Sequence, residues 1–339
     1  MSTHPFGLTP DEVLYSQAPI DLSKPYDEST VQGSTIVITG GASGIGEGML
    51  RRFAPLGDCE SATVVIGDVN TARGEALIKD LRESTGNENL HFLHVDVVSY
   101  PSQCAFFRSA LALSPSGHLN TIIANAGVGE IGHFESPTGS PDTDPPEPPT
   151  TTIDVNIKGA IFTARLALHH LKSTPAGQDR HLLFLGSLAS FAAGPAMAVY
   201  SASKHAVLGF FRSLRLYPSA RDGVRMNIVC PYFVDTPILP LGGRMMLVGL
   251  ERALVEDVVE AAARFVCERG VMGRSLCVAP RGSGGVMEMG VGEMEEVEVF
   301  SRRLVRALNR EAAVRKWVHM WWDLWVLFVV GPVLGLFRK

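Results

Sequence analysis

Tyr200 and Lys204 stand four residues apart in the run Tyr200-Ser-Ala-Ser-Lys204. The surrounding apolar period predicts a helix from about Val199 to Tyr217. Four residues is about one helical turn, so the phenol and the ammonium share a face. A free tyrosine, with a pKa of about 10, is a poor base near neutrality. A neighbouring ammonium favours the phenolate, and the pair can then work as a general acid and base. Ser187 ends a predicted strand in Leu185-Gly-Ser-Leu-Ala-Ser190, where its hydroxyl can hold a substrate oxygen near Tyr200. Asn156, in Asp154-Val-Asn-Ile-Lys158, falls inside a predicted helix, a locally unfavourable place for asparagine that points to a functional role. A Tyr–Lys pair alone is common as a solvated helix face. The same pair joined to Ser187, Asn156 and the loop described next is poorly explained by chance.

That loop is Thr39-Gly-Gly-Ala-Ser-Gly-Ile-Gly46, between a β-branched run, Thr35 to Ile38, and a helical stretch to about Leu56. Gly40, Gly44 and Gly46 allow a sharp turn and a close backbone approach, while Ser43 and Ile45 lead into a helix N-terminus. The chemistry that needs this is pyrophosphate binding in a dinucleotide. A second strand, Ala62 to Gly67, ends at Asp68, a carboxylate placed to accept hydrogen bonds from the adenosine ribose hydroxyls and to repel a 2′-phosphate. Ser43 is not basic and no Arg or Lys directly follows Asp68, so NAD is favoured over NADP. The plain alternative is that Asp68 only starts the turn with Asn70. Asp96 and Val97, at the end of a third strand, are placed to meet the adenine. Asn125, Ala126 and Gly127 supply small groups where a fourth strand meets the cofactor.

The elements that position these residues alternate. Strands are predicted at Leu90 to Val95, Asn120 to Ala124, His181 to Leu185, Val224 to Val229 and Ser275 to Ala279. Helices are predicted from Asn70 to about Glu83, from about Thr151 to Lys172 and from about Glu256 to Glu268. Short connections between β and α units predict an α/β fold with a doubly wound parallel sheet. Residues 33–280 form the expected Rossmann-fold domain, flanked by extensions 1–32 and 281–339. The proline-rich stretch 136–150 cannot be helix or central strand and reads as an exposed loop insertion.

With 339 residues, 46% of them hydrophobic, the chain can bury one large core. A net charge of -5 gives no reason to expect nucleic-acid binding. The five cysteines are scattered without a C-x-x-C pair, which argues against a zinc site or disulfide framework and for a reducing, cytoplasmic setting. His91 and His94 lie three apart in a predicted strand and point to opposite faces, so no metal site is expected.

Between Gly33 and Ala279 the sequence resembles the short-chain dehydrogenase/reductase family. The resemblance rests on the glycine loop, Asn125-Ala-Gly127, Asn156, Ser187 and Tyr200-Ser-Ala-Ser-Lys204. It implies that Tyr200 is the general acid/base and that Lys204 binds the nicotinamide ribose and lowers the tyrosine pKa. It implies further that Ser187 orients the substrate oxygen and Asn156 holds a water in a proton relay. Val234 and Thr236 complete the implied cofactor set. Tyr200 to Gly209 and Arg225 to Thr236 resemble the NAD-dependent 15-hydroxyprostaglandin dehydrogenase branch. The chain departs from the family at Tyr232, where Pro-Gly is usual and the loop is expected to bend differently. It departs from that branch at Met197, where a substrate-contacting glutamine is usual. The N-terminal lead and apolar tail resemble fungal members acting on secondary metabolites.

Two segments are expected to line the substrate cleft: Phe191 to Met197, and a lid within 232–254 that carries Ile238-Leu-Pro-Leu241 and Met245-Met-Leu247. Arg244 is the only cation from Phe191 to Met197 and from Tyr232 to Leu247. The reading is a lipophilic ketone or secondary alcohol, against the plainer one that these residues merely pack the lid. Spare apolar surface on the helices of Asn156 and Tyr200 predicts a homodimer or homotetramer. Residues 317–337 are apolar and follow a basic stretch. At 21 residues they approach the roughly 20 needed to span a bilayer. His319, Asp323 and Gly331-Pro332 count against a span. Membrane association through a span or a shallow anchor is weighed against packing on the enzyme's own apolar surface or on the partner subunit. The rival functional readings are an NADP-dependent carbonyl reductase and a non-catalytic NAD-binding scaffold.

Overall fold

The computed structural model describes residues 19–55, 62–132, 134, 142, 144–192, 196–215, 222–239 and 251–289. The predicted apolar tail, and Leu241 to Leu247 of the predicted lid, lie outside these residues.

Seven parallel strands form the sheet: β1 Thr35–Thr39, β2 Thr63–Asp68, β3 Leu90–His94, β4 Thr121–Ala124, β5 His181–Leu185, β6 Arg225–Pro231 and β7 Ser275–Val278. An eighth, β8 Val286–Glu288, pairs antiparallel with β7. The spatial order is β3-β2-β1-β4-β5-β6-β7-β8. The chain runs outward from β1 to β3 and then returns to place β4 beside β1. The loops after β1 and β4 therefore meet at the point where strand order reverses, the place in such sheets where a crevice opens for ligand.

The helices are α1 Gly44–Phe53, α2 Thr71–Thr85, α3 Tyr100–Ala112, α4 Ala160–Leu171, α5 Ala198–Leu214 and α6 Val255–Cys267. Strand alternation sorts the core into two layers. Ile36 and Ile38 join Met49, Leu50, Phe53, Val258 and Phe265 on one face. Val37 joins Phe106, Phe107, Ala164, Phe184 and Phe211 on the other. The central strands are buried on both faces, as a parallel sheet between helix layers requires. Boundaries follow local chemistry. The Asn70 side chain accepts from Arg73 N and starts α2, which ends at Gly86 with φ 71.

The continuous helix expected from Thr151 to Lys172 is broken. A turn at Thr151–Ile153 leads into a π-helical segment, Asp154–Gly159, before α4 begins. A π turn widens the helix and frees a carbonyl. Here Gly159 O accepts from Thr163 Oγ1 at 3.0 Å and from Gln103 Nε2 at 3.1 Å. Residues flanking the expected domain also pack on it. Arg264 donates to the carbonyls of Leu22 and Lys24, Thr30 Oγ1 donates to Cys267 O, and Arg52 pairs with Glu28. Residues 144–150 of the proline-rich insertion are exposed and lack regular structure. No helix among the described residues is long and apolar enough to cross a membrane.

Candidate active site

β1 ends at Thr39 and the chain turns through Gly40, whose φ is 66. A Cβ on Gly40 would stand 2.7 Å from Ala126 Cα, so the β1 and β4 loops touch backbone to backbone. Gly46 is tighter: a Cβ there would lie 2.1 Å from Gly40 O and 2.7 Å from Asn125 Nδ2. Asn125 Nδ2 donates to Thr39 O and Gly40 O, both at 2.9 Å, and Thr39 Oγ1 accepts from the N–H groups of Asn125 and Ala126. Asn125 thus holds the glycine loop, and Gly127 leads toward Lys204 and Asn156. Ser43 is the N-cap residue of α1, but its side chain caps nothing, which leaves that helix end open to an anion. Thr236 packs beside Gly44, 3.2 Å from where a Cβ would be. Val234 is buried and bridges to Ala253. A pyrophosphate fits this cradle, because glycines clear its floor and uncapped helix N–H groups face it.

Asp68 closes the loop from the second strand. Oδ2 accepts from Ala42 N at 3.1 Å and Oδ1 from Asn70 N at 3.0 Å. The expected ribose ligand is thus also a brace for the glycine loop and the start of the next turn. Arg73 donates to Ala42 O at 2.6 Å and pairs with Glu47. At the third strand end Asp96 Oδ1 accepts from Val98 N, and Val97 is buried against Gly159.

Ser187 follows β5 and Tyr200 sits in the first turn of α5. The Ser187 side chain stands near the Tyr200 phenol; its hydroxyl donates to Pro231 O at 3.5 Å and accepts from Ala189 N at 3.1 Å. Burial pushes that phenol above its ordinary value, and the polar Ser187 side chain near it offsets part of this. Lys204 Nζ lies 5.9 Å from the Tyr200 ring centroid and donates to Leu185 O at 3.1 Å. Burial lowers the lysine to about 8, an effect that the neighbouring Cys230 opposes. Asn156 occupies the π-helical segment. Its Oδ1 accepts from Val128 N at 2.8 Å, and Nδ2 donates to Val128 O at 2.9 Å and Ser203 Oγ at 3.0 Å. Both amide hydrogens are therefore committed to protein partners.

Close approaches link the glycine loop to the expected catalytic residues beyond the strand C-termini: Gly40 to Ala126, Gly127 to Asn156 and Lys204, and Lys204 to Tyr200. A sequence model described as short chain dehydrogenase matches residues 34–241. The chain belongs to the short-chain dehydrogenase family. It is an oxidoreductase that acts on CH–OH groups with a nicotinamide nucleotide. Among curated relatives, a 5′-hydroxyaverantin dehydrogenase of Dothistroma septosporum is 32% identical over 281 residues, covering 77% of this chain and 89% of that protein. An NADP-dependent dehydrogenase of a Phoma species is 31% identical over 285 residues, covering 79% and 80% respectively. The crystal structure of a Brucella melitensis 3-ketoacyl-(acyl-carrier-protein) reductase complexed with NADH superposes with a TM-score of 0.60. It is 26% identical, over 73% of this chain and 97% of that one.

At the departure from the usual Pro-Gly, the short-chain dehydrogenase keeps β6 extended through Pro231. Tyr232 N donates to Val278 O and its ring meets Phe233 edge-on. Tyr232 has no positive φ, so the backbone there does not require glycine. Sequence reasoning missed Glu130, Thr152, Gln103 and Ser203, all of which hold the site together through partners distant in the chain. Their only sequence signal was polarity close to a motif or inside a helix.

Proposed function

We propose that the enzyme transfers a hydride between NAD(H) and a secondary alcohol or ketone of a lipophilic substrate, with Tyr200 as general acid/base. The observation that carries the reading is the buried Lys204 ammonium 5.9 Å from the Tyr200 ring and beside Gly127, where the β4 loop meets the glycine loop. The bound cofactor supplies or accepts the hydride. The Ser187 hydroxyl donates to the substrate oxygen and keeps it beside the phenol. In oxidation Tyr200 takes the hydroxyl proton; in reduction it returns one to the carbonyl oxygen. The buried charge of Lys204 favours the phenolate at the moment Tyr200 is deprotonated. The Asn156 side chain fixes the turn after β4 against α5, and a relay water at this residue would be held by its oxygen acceptors, since both amide hydrogens are taken.

Support for an apolar substrate comes from Ile131, Phe134 and Ile238. These are exposed large hydrophobic side chains in the turn after β4 and the start of the lid. Gly129 touches Ile238, which brings those two segments together. Ile161, exposed just C-terminal to the Asn156 segment, supports a subunit interface there.

Replacing Tyr200 with Phe removes one oxygen and should lower kcat by about 10²- to 10⁴-fold while NADH binding persists. NADH absorbance, followed with a panel of hydrophobic secondary alcohols and ketones, reads this. A Phe variant that keeps more than about a tenth of parent kcat rules out Tyr200 as the proton carrier.

The second reading is NADP dependence, favoured by the Phoma relative's name and by the Arg73 guanidinium beside Ala42. Asp68 supports NAD, since a 2′-phosphate would meet its carboxylate. Measured kcat/KM should be higher with NAD, and Asp68→Ala should narrow the gap. Equal or better efficiency of the parent with NADP would decide for the second reading.

A further inference from the structure

Tyr200 is held by its backbone as well as by its side chain. It is the third residue of α5, where a helix N–H ordinarily finds its partner in an N-cap side chain. The N-cap here is Met197, which has no such group and forms no side-chain cap. The residue before it, Ala196, has φ 57, the one non-glycine positive φ among the described residues. The chain thus enters α5 from a strained position without a local cap.

The missing acceptor comes from seventy residues away. Glu130 Oε2 accepts from Tyr200 N at 2.6 Å, and Oε1 accepts from Val199 N at 3.4 Å. A carboxylate facing first-turn N–H groups is charge-assisted and lies at the positive end of the helix dipole. Glu130 is itself on a fixed mount. Asn156 clamps both polar groups of the Val128 peptide, and Thr152 Oγ1 donates to Gly129 O at 3.0 Å. On the other side Ser203 Oγ donates to Tyr200 O at 2.7 Å and accepts from Asn156 Nδ2. The Tyr200 N–H and C=O are both tied, through short paths, to the turn that follows β4.

We propose that Glu130 is a positioning residue for Tyr200, fixing the first turn of α5 so that the phenol stands at the reacting oxygen. The inference rests on the acid/base reading of Tyr200. A misplacement of about 1 Å can cost on the order of 10²-fold in rate. Glu130 acts on that alignment without touching substrate or cofactor.

The test uses the full chain, with Glu130→Ala, Glu130→Gln and Glu130→Asp beside Tyr200→Phe. Readouts are kcat and KM for a hydrophobic secondary alcohol turned over by the parent, NADH affinity by fluorescence, and Tm. Glu130→Ala should lose roughly 10- to 100-fold in kcat, with NADH affinity within about twofold of parent. Gln keeps an acceptor oxygen of the same reach and should restore kcat to within about threefold. Asp keeps the charge but loses the reach, and should resemble Ala. If Ala does not fold, the Gln–Asp contrast decides. Parent-like kcat in Ala or Asp overturns the proposal, as does a Gln variant no better than Ala. A kcat loss matched by an equal loss of NADH affinity also overturns it, since that marks general damage. If Tyr200→Phe stays active, the acid/base reading fails and takes this one with it. If Tyr200→Phe is inactive and the Glu130 variants are not, only this proposal fails.

Discussion

Two helices of this enzyme begin at the crevice, and both lack a cap of their own. Ser43 precedes α1 in extended backbone, φ -155, yet its hydroxyl accepts nothing. Met197 precedes α5 and has no side chain able to accept. The ends are then treated in opposite ways. At α1 glycines clear the approach and the N–H groups stay open to an anion. At α5 Glu130 fills the same kind of gap with the protein's own carboxylate. An open helix end costs stability and gains a ligand site, whereas a closed one fixes the residue that follows it. The difference separates the proposed cofactor side, where the helix end is left open, from the proposed catalytic side, where a distant carboxylate closes it.

The largest expected break is at the open end. Gly46→Ala puts a methyl group 2.1 Å from Gly40 O, a backbone atom that cannot step aside without moving Asn125 as well. NADH affinity should fall by more than about a hundredfold, on the scale of several kcal/mol for overpacking. An Ala variant that binds NADH like the parent would show that the loop is not the cradle.

A smaller change turns the open end into a closed one. Ser43→Asp supplies the carboxylate that α1 lacks, in backbone already suited to an N-cap. Tm without cofactor should rise, by an amount reflecting roughly 0.5–1 kcal/mol. NADH affinity should fall by roughly tenfold, because the new charge faces the pyrophosphate. If both quantities rise, the helix end of α1 is not where the anion sits.

The smallest effect concerns the lysine between the two ends. Burial lowers Lys204 to about 8 from the ordinary 10.5. Between those values the unfolded chain holds more protons than the folded one, so stability rises with pH across that window. Below about pH 8 the full cost of burying the ammonium is present. Lys204→Met should therefore be the more stable protein below pH 8, by a few degrees in Tm. That advantage should shrink toward pH 10.5, while activity is lost throughout. A Tm difference independent of pH would mean the lysine carries no burial cost.

The same division explains what could be read from the sequence. The glycine loop and the Tyr200–Lys204 pair are spacings within single turns, and Asp68 and Asn125 stand at the ends of apolar strands, so strand or helix period places them directly. Most of the seven parallel strands were legible as short apolar, β-branched runs between turn residues, while β3, Leu-His-Phe-Leu-His, and β6, which opens Arg-Met-Asn, carry the pattern less purely. β8 was not: three residues, Val286-Met-Glu288, follow two glycines and carry too little pattern. The π-helical segment at Asn156 was legible only as an awkward asparagine, since the widened turn depends on Gln103 and Thr163. Glu130 gave no signal, because its partner lies seventy positions on.

β8 also bears on what this edge of the sheet offers to another chain. A parallel sheet ends in a strand whose outer N–H and C=O groups invite another chain. β8 occupies that edge of β7, with Leu276 opposite Glu288 and Val278 opposite Val286. Glu288 then receives Arg274 and the N–H of Ile20, which fastens the N-terminal segment over the same margin. A trimmed version ending at residue 280 would keep the motifs of the site and lose this guard, leaving a bare edge ready to template aggregation. One ending after Met289 would keep the edge covered.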